Sequence, residues 1–180
     1  MVQRSGTNIN ARPVRRRRKS SSGQALLESV FTLLPTFALI FGLTDLSLMI
    51  FRWTTLQNAV REGTRYAVTF RTQTGFGQDA SVENVVQQYA MGIVKRTDSP
   101  QTIFVKYYTT SNLNTPITSG GNTPGNIVEV SVQNLSFSWL APLSGSLNGG
   151  TVYTTKPLTL NVYSSDILGG YPVGVSSVVE

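Results

Sequence analysis

One run of apolar residues constrains this chain more than any other feature of its sequence. Residues 29–51, SVFTLLPTFALIFGLTDLSLMIF, contain a single charged side chain, Asp45. As an α-helix this run would be about 35 Å long, against about 30 Å of hydrocarbon in a bilayer. Arg52 and Trp53 follow it, and both residue types anchor spans at the membrane surface. The sequence therefore predicts one transmembrane helix near the N-terminus.

The net positive charge lies entirely before this run. Seven of the fifteen Lys and Arg residues precede residue 20, and residues 24–180 carry eight positive and nine negative charges. A nucleic-acid-binding domain needs its basic patch on a folded surface, so we expect no nucleic-acid partner. Basic residues beside a span stay cytoplasmic. Residues 1–23 are therefore predicted to be a cytoplasmic leader, with topology set by Arg15, Arg16, Arg17, Arg18 and Lys19.

A secretory or twin-arginine signal peptide is the alternative for such a leader. Its apolar core would be about 7–15 residues long and would be followed by a small-residue cleavage site. The run here is longer, and no such site follows Phe51. We therefore expect the span to be retained.

Composition also limits the chemistry that the chain can perform. It contains no cysteine and no histidine, which removes thiolate metal sites, the commonest metal ligand and the commonest general base. A membrane-tethered hydrolase using a serine with Lys95, Lys106 or Lys156 is an alternative. However, no serine lies in a Gly-x-Ser-x-Gly or Ser-x-x-Lys motif. We expect no enzyme, no metal and no cofactor.

The helical pattern continues beyond the apolar run. Apolar and small residues recur at spacings of three and four, which predicts an amphipathic helix: Leu56, Ala59, Val60, Gly63, Ala67 and Phe70. One helix over roughly residues 25–70 is therefore expected, with Gly75 and Gly77 breaking it. Residues 24–71 form the predicted N-terminal helical segment.

The remainder, residues 72–180, is predicted to be a periplasmic α+β domain. A second helix, capped by Asp79 or Ser81 and ending at Lys95 and Arg96, carries the stripe Val82, Val85, Val86, Tyr89, Ala90, Ile93 and Val94. Strands are predicted at 103–108, 127–132, 151–155 and 158–163, the second extended by Leu135, Phe137 and Trp139. Residues 109–126 and 141–150 are predicted loops. The expected fold class is α+β, with a long transmembrane helix that continues as an amphipathic spine, a second helix and a small antiparallel meander.

The junction between leader and span has a distinctive pattern. Gly23 ends the basic leader, and Glu28 follows five residues later, just before the apolar run. Glycine lets a backbone lie extended in a protease groove because no Cβ obstructs it. An acid that leads a membrane helix needs a partner, and cleavage before Gln24 would supply one in the new amino terminus. Alternatively, Glu28 only favours the helix N-terminal dipole at the headgroups.

This junction resembles a prepilin peptidase site, and the sequence around it resembles the TadE-like family. The resemblance covers about residues 15–70 and is carried by Gly23–Glu28, by Leu34-Pro35, Gly42 and Asp45, and by the segment LQNAVREGTRYA at 56–67. Thr64 stands where that family usually has alanine, and Ser29 replaces the aromatic that often follows the glutamate. The TadE-like proteins are minor pilins, or pseudopilins, of bacterial tight-adherence pilus systems.

The resemblance implies an inner-membrane protein with a cytoplasmic N-terminus and a periplasmic C-terminal domain. It implies cleavage by a prepilin peptidase between Gly23 and Gln24, and work in pilus assembly, adhesion or secretion, either within the filament or at its base. The implied partners are that peptidase, other pilins, the inner-membrane assembly platform and the lipid bilayer. The alternative is an uncleaved, single-pass anchored binding or accessory protein of a secretion system.

The implied assembly helix contains Pro35, Asp45, Arg61, Glu62, Gly63, Arg65 and Tyr66. Pro35 lacks a backbone donor, so a kink is expected there. Asp45 lies either near the outer headgroups or in a pair with a neighbouring subunit. The charges at Arg61, Glu62 and Arg65 form either a solvated helix face or a surface that docks to another pilin.

Overall fold

A computed structural model describes residues 22–137 and 158–180 of the chain. Its elements are α1 (Ser22–Val68), α2 (Gln78–Tyr89), β1 (Ile103–Thr109), β2 (Asn112–Ile117), β3 (Ile127–Phe137) and β4 (Leu158–Ile167). The predicted α+β class, with a long apolar helix, a second helix and an antiparallel sheet, is confirmed. The described residues divide between Phe37 and Ala38 into two compact units. The basic block Arg15–Lys19, Trp139 and the predicted strand 151–155 lie outside the described residues.

Among the described residues, α1 is the one helix long and apolar enough to cross a membrane. Most of its large apolar side chains from Leu26 to Trp53 are exposed, as lipid-facing side chains would be. Every Ser and Thr hydroxyl between Gly23 and Val68 donates to a helical carbonyl one turn earlier. No polar side chain of this type is therefore left without a partner in lipid. α1 runs through Pro35 as one helix.

The second half of α1 buries the stripe that its spacing predicts. Leu56, Ala59, Val60, Ala67 and Phe70 are all buried in the core, and Gly63 lies among them. The hydroxyl of Thr64 donates to the carbonyls of Val60, at 2.8 Å, and of Ser164 in β4, at 3.2 Å. This hydroxyl therefore satisfies its own helix and also ties α1 to the sheet.

The sheet is antiparallel with strand order β2-β1-β3-β4. Val128, Val130 and Val132 are fully buried on one face, as their alternation predicts. Val130 pairs with Val105 of β1 and with Ser164 of β4. The same face packs against α1, since a Cβ at Gly63 would lie 3.4 Å from Cγ1 of Val130. The core therefore lies between one sheet face and the two helices.

Three details of the predicted secondary structure are wrong. The helix α2 ends at Tyr89, well before Lys95, because Met91 (φ 53°) and Gly92 (φ 81°) are left-handed. Neither Asp79 nor Ser81 caps it; both lie inside the helix, and Gly77 is the N-cap. The third error is a missed strand, because the predicted loop 109–126 contains β2.

β2 pairs with β1 at the sheet edge, which places β3 beside β1 and breaks the simple order of a meander. β3 extends to Phe137, as predicted from Leu135 and Phe137, and its alternation shifts by one residue within its length. Val132 and Leu135 are an odd number of residues apart, so a regular strand would place them on opposite faces. A register shift lies between them, and Asn134 there has a left-handed backbone (φ 60°). This bulge brings Phe137 back to a buried position.

Buried amide side chains link the end of α1, the start of α2 and the C-terminal segment. The Gln78 amide donates to the carbonyl of Ala67 at 2.9 Å. Asn122 donates to the Gln78 side-chain oxygen at 3.1 Å and to the carbonyl of Val178 at 2.8 Å. Because these groups satisfy one another in the core, the network fixes how α2 leaves α1.

Candidate functional site

The predicted processing junction lies in the first turns of α1. Gly23, Gln24 and Glu28 are exposed, and the Gln24 side-chain amide donates to the Glu28 carboxylate at 3.3 Å. The first N–H groups of a helix have no partner within it, so this end of a helix opens at low cost. A protease can therefore reach the bond between Gly23 and Gln24 once this first turn unwinds.

Asp45 differs from the residues around it because it is only 1% exposed. It lies on the stripe that continues through Met49 and Arg52 to Leu56, and each of these is at least half-buried. A side chain this buried has little contact with lipid. The role predicted for Asp45 in assembly stays a prediction.

A groove follows the outer side of α1, with α2 as its second wall. It consists of two adjoining hollows, of about 440 and 400 Å³, which share Gln88 and Tyr89. The first contains Glu62, Arg65, Tyr66, Thr69, Arg71 and Gln73; the second contains Phe51, Thr54, Thr55, Asn58 and Met91. These residues together are called the helix groove. It is charged at one end and apolar at the end nearer the predicted span.

The charged end presents an ion pair and a second cation. The Arg65 guanidinium lies 3.2 Å from the Glu62 carboxylate, with side-chain exposures of 76% and 30%. An exposed pair of this kind contributes little to stability, so its charges are free to meet a partner. Arg71 lines the same hollow. This end is therefore suited to an acidic or amide-rich surface.

The predicted assembly residues do not all lie in the helix groove. Glu62, Arg65 and Tyr66 line it, whereas Arg61 is exposed outside it and Pro35 is exposed in the first unit. Gly63 is buried, and a Cβ there would lie 2.5 Å from Cγ2 of Val86. The structure therefore gives Gly63 a packing contact within the chain.

Sequence reasoning missed the α2 wall of the groove. Tyr89 belongs to the predicted buried stripe, but it is 45% exposed because α2 ends at this residue. Gln73 was also missed. Its backbone N–H donates to the Ser81 hydroxyl at 2.9 Å, and its side-chain oxygen accepts from Asn84 at 3.0 Å. These bonds fix the loop at the charged end of the groove to α2.

The start of α2 carries a hydrogen-bonded acid. The Tyr107 hydroxyl donates to the Asp79 carboxylate. Burial raises the pKa of Asp79, the hydrogen bond from Tyr107 opposes that rise, and repulsion from Glu180 adds to it. Burial and the same carboxylate also raise the pKa of Tyr107, so this hydroxyl stays protonated and acts as a donor. The pair joins α2 to β1 and contributes to structure.

Comparison with known proteins finds a family similarity in the N-terminal part of the chain. Residues 23–65 match the model of the family described as TadE-like protein. The match begins at Gly23 and ends at Arg65, so it contains the predicted processing junction, the apolar run and the Glu62–Arg65 pair of the helix groove. It confirms the resemblance seen in the sequence. No curated protein and no solved structure matches the chain.

Proposed function

We propose that the chain is a minor pilin or pseudopilin of a tight-adherence pilus, processed by a prepilin peptidase between Gly23 and Gln24. The observation that carries this proposal is the family match, which starts at Gly23 and runs without a break through the apolar helix. The basic leader then lies in the cytoplasm, α1 crosses the inner membrane, and the α+β domain lies in the periplasm.

Processing changes the charge at the start of α1. Removal of residues 1–23 takes away seven cations and creates one amino group at Gln24. Glu28 lies one helical turn from Gln24, whose side chain already contacts its carboxylate. The new ammonium and Glu28 neutralise each other, on one subunit or between two. This lowers the cost of drawing the helix end into an apolar bundle.

The helix groove provides the assembly surface outside the membrane. Its apolar end continues from the exposed apolar face of α1, and its charged end holds Glu62, Arg65 and Arg71. A helix of a neighbouring pilin can lie in such a groove, with the charges selecting the partner and its register. In this account the chain performs no catalysis.

The test uses a bacterium with a tight-adherence system in which the resident gene for this subunit is deleted. Wild-type chain should restore surface pili, and Gly23→Leu should accumulate at full length without restoring them, because leucine adds a branched side chain at the cleavage site. Ser22→Ala, on the leader side of the same bond, is the matched control and should be processed. Full pilus formation by uncleaved Gly23→Leu would support the anchored accessory protein instead.

A further inference from the structure

The direction of α2 brings its C-terminal end back toward the predicted span. At the start of α2, the Gln78 amide contacts the carbonyl of Ala67. At its end, Tyr89 and Met91 line a hollow together with Phe51 and Thr55 of α1. The two helices are therefore antiparallel, and the turn after α2 faces residues 51–58 of α1. Phe51 is the last residue of the predicted span.

The turn at this level presents an apolar side chain to solvent. Met91 is 75% exposed, and Tyr89 beside it is 45% exposed. Met91 has φ 53°, a backbone region that is unfavourable for a residue with a large side chain. A polar residue such as asparagine would suit an exposed left-handed position better. A methionine at this position is therefore consistent with an apolar environment around the turn.

A second exposed apolar site lies at the same level, where β4 meets α1. Leu158, the first residue of β4, is 39% exposed and lines a hollow with Met49, Ile50 and Trp53. The Arg52 guanidinium lies 5.2 Å from the ring centroid of Phe137, which pairs with Leu158. This contact holds the β3–β4 end of the sheet against α1 at the end of the span.

These residues define a base patch, consisting of Phe51, Trp53, Tyr89, Met91 and Leu158. We propose that the base patch lies in the headgroup interface of the bilayer that α1 crosses, so that the domain rests on the lipid surface. The inference depends on the proposed membrane span. Its occupant follows from continuity, because Phe51 ends the predicted span and the headgroup region of the bilayer begins at the end of a span. Aromatic and methionine side chains there are stabilised by burying apolar area among the headgroups.

The absence of cysteine from the chain allows a direct test. Met91→Cys and Leu158→Cys, each labelled with an environment-sensitive fluorophore, are reconstituted as full-length protein in phosphatidylethanolamine–phosphatidylglycerol vesicles that contain nitroxide-labelled lipid. Phe31→Cys is the reference inside the span. Ser111→Cys is the aqueous reference. Ser111 comes just after β1, whose Tyr108 pairs with Ile127, and Ile127 lies at the opposite end of β3 from Phe137. Thermal unfolding by circular dichroism confirms that each labelled variant is folded.

The proposal predicts that probes at Met91 and Leu158 lose fluorescence to headgroup-level nitroxide at any protein-to-lipid ratio, while the Ser111 probe keeps its fluorescence. Probes at Met91 and Leu158 that behave like Ser111, with Phe31 quenched, would overturn the inference and leave the anchor intact. If the Met91 probe is shielded from water only at a high protein-to-lipid ratio, the base patch contacts a second subunit. That result would also overturn the inference. An unquenched Phe31 would refute the membrane span and the inference with it.

Discussion

A β-carbon at position 63 would lie 2.5 Å from Cγ2 of Val86, so α1 and α2 approach each other at a point where α1 carries no side chain. The same atom would be 3.4 Å from Val130 and 3.7 Å from Val82. Three valine side chains therefore surround the point that a β-carbon at position 63 would occupy. Gly63 sets the distance between the two walls of the helix groove.

Gly63→Ala should accordingly destabilise the domain. Overpacking of a filled core costs about 1–3 kcal/mol, and the higher helix propensity of alanine returns at most about 1 kcal/mol. We expect a net loss of about 1 kcal/mol or more in the free energy of unfolding of the full-length protein in detergent micelles. Gly42→Ala is the matched control, because nothing lies within 4 Å of its β-carbon. Equal stability of the two variants would contradict the close contact, and Val86→Ala should restore stability in the Gly63→Ala background.

The buried amide network predicts a second stability effect. Asn122→Ala removes the donor for the Gln78 side-chain oxygen and for the Val178 carbonyl. Unsatisfied buried acceptors of this kind cost about 1–3 kcal/mol. Asn114→Ala, at an exposed position of β2, should change the free energy of unfolding by about 0.5 kcal/mol or less. Similar values for both variants, measured by denaturant unfolding, would show that the network does not stabilise the start of α2.

The Asp79 carboxylate makes stability depend on pH. Burial raises its pKa above the ordinary value of 3.8, so the folded protein binds this proton more tightly than the unfolded chain. The free energy of unfolding should therefore fall as pH rises through the window between the ordinary pKa and the raised one. Asp79→Asn, which can still accept from Tyr107, should reduce this fall. Part of the fall in the free energy of unfolding should persist in this variant, because burial also raises the pKa of Glu83.

Denaturant unfolding of both proteins between about pH 4 and about pH 7 measures this difference. The two curves should be closest at the acidic end, where Asp79 is protonated, and the variant should be the more stable at the neutral end. Parallel curves for the two proteins across the whole range would contradict a raised pKa at Asp79.

Arg65 should matter for association and very little for folding. Its pair with Glu62 is exposed and contributes about 0.5 kcal/mol or less. Arg65→Glu should therefore leave thermal unfolding almost unchanged, while reducing the amount of other pilin subunits that copurify with the chain from detergent extracts. Lys95→Glu, which makes the same charge change at an exposed position outside the groove, is the control. Undiminished copurification with Arg65→Glu would place the assembly surface elsewhere.

The sequence predicts the parts of this fold that depend on local pattern. The stripe from Leu56 to Phe70 and the alternation at Val128, Val130 and Val132 were both correct, because a helix or strand buries one face wherever it packs. β2 was missed because its residues, NLNTPI, include two asparagines and a proline and are mostly exposed. It is a strand because β1 pairs with it. Strand propensity is a local property of the sequence and does not predict that pairing.

The candidate site divides in the same way. The junction at Gly23 and the charges at Glu62 and Arg65 lie on one helix, so local pattern and the family resemblance indicate them, and their roles stay predictions. The wall supplied by Tyr89, the burial of Asp45 and the bond from Thr64 to Ser164 depend on contacts between distant parts of the chain. The bulge at Asn134 also depends on a distant part of the chain, since it is defined by the register of β3 against β4.

The most direct test of the central claim is the intact mass of the membrane-extracted protein, with and without a co-expressed prepilin peptidase of the tight-adherence type. The account predicts that the peptidase yields a chain of residues 24–180 with Gln24 as its amino terminus, and that Gly23→Leu keeps the full mass. A wild-type chain that retains residues 1–23 beside an active peptidase would contradict the pilin account. The basic block would then serve only to orient an uncleaved anchor.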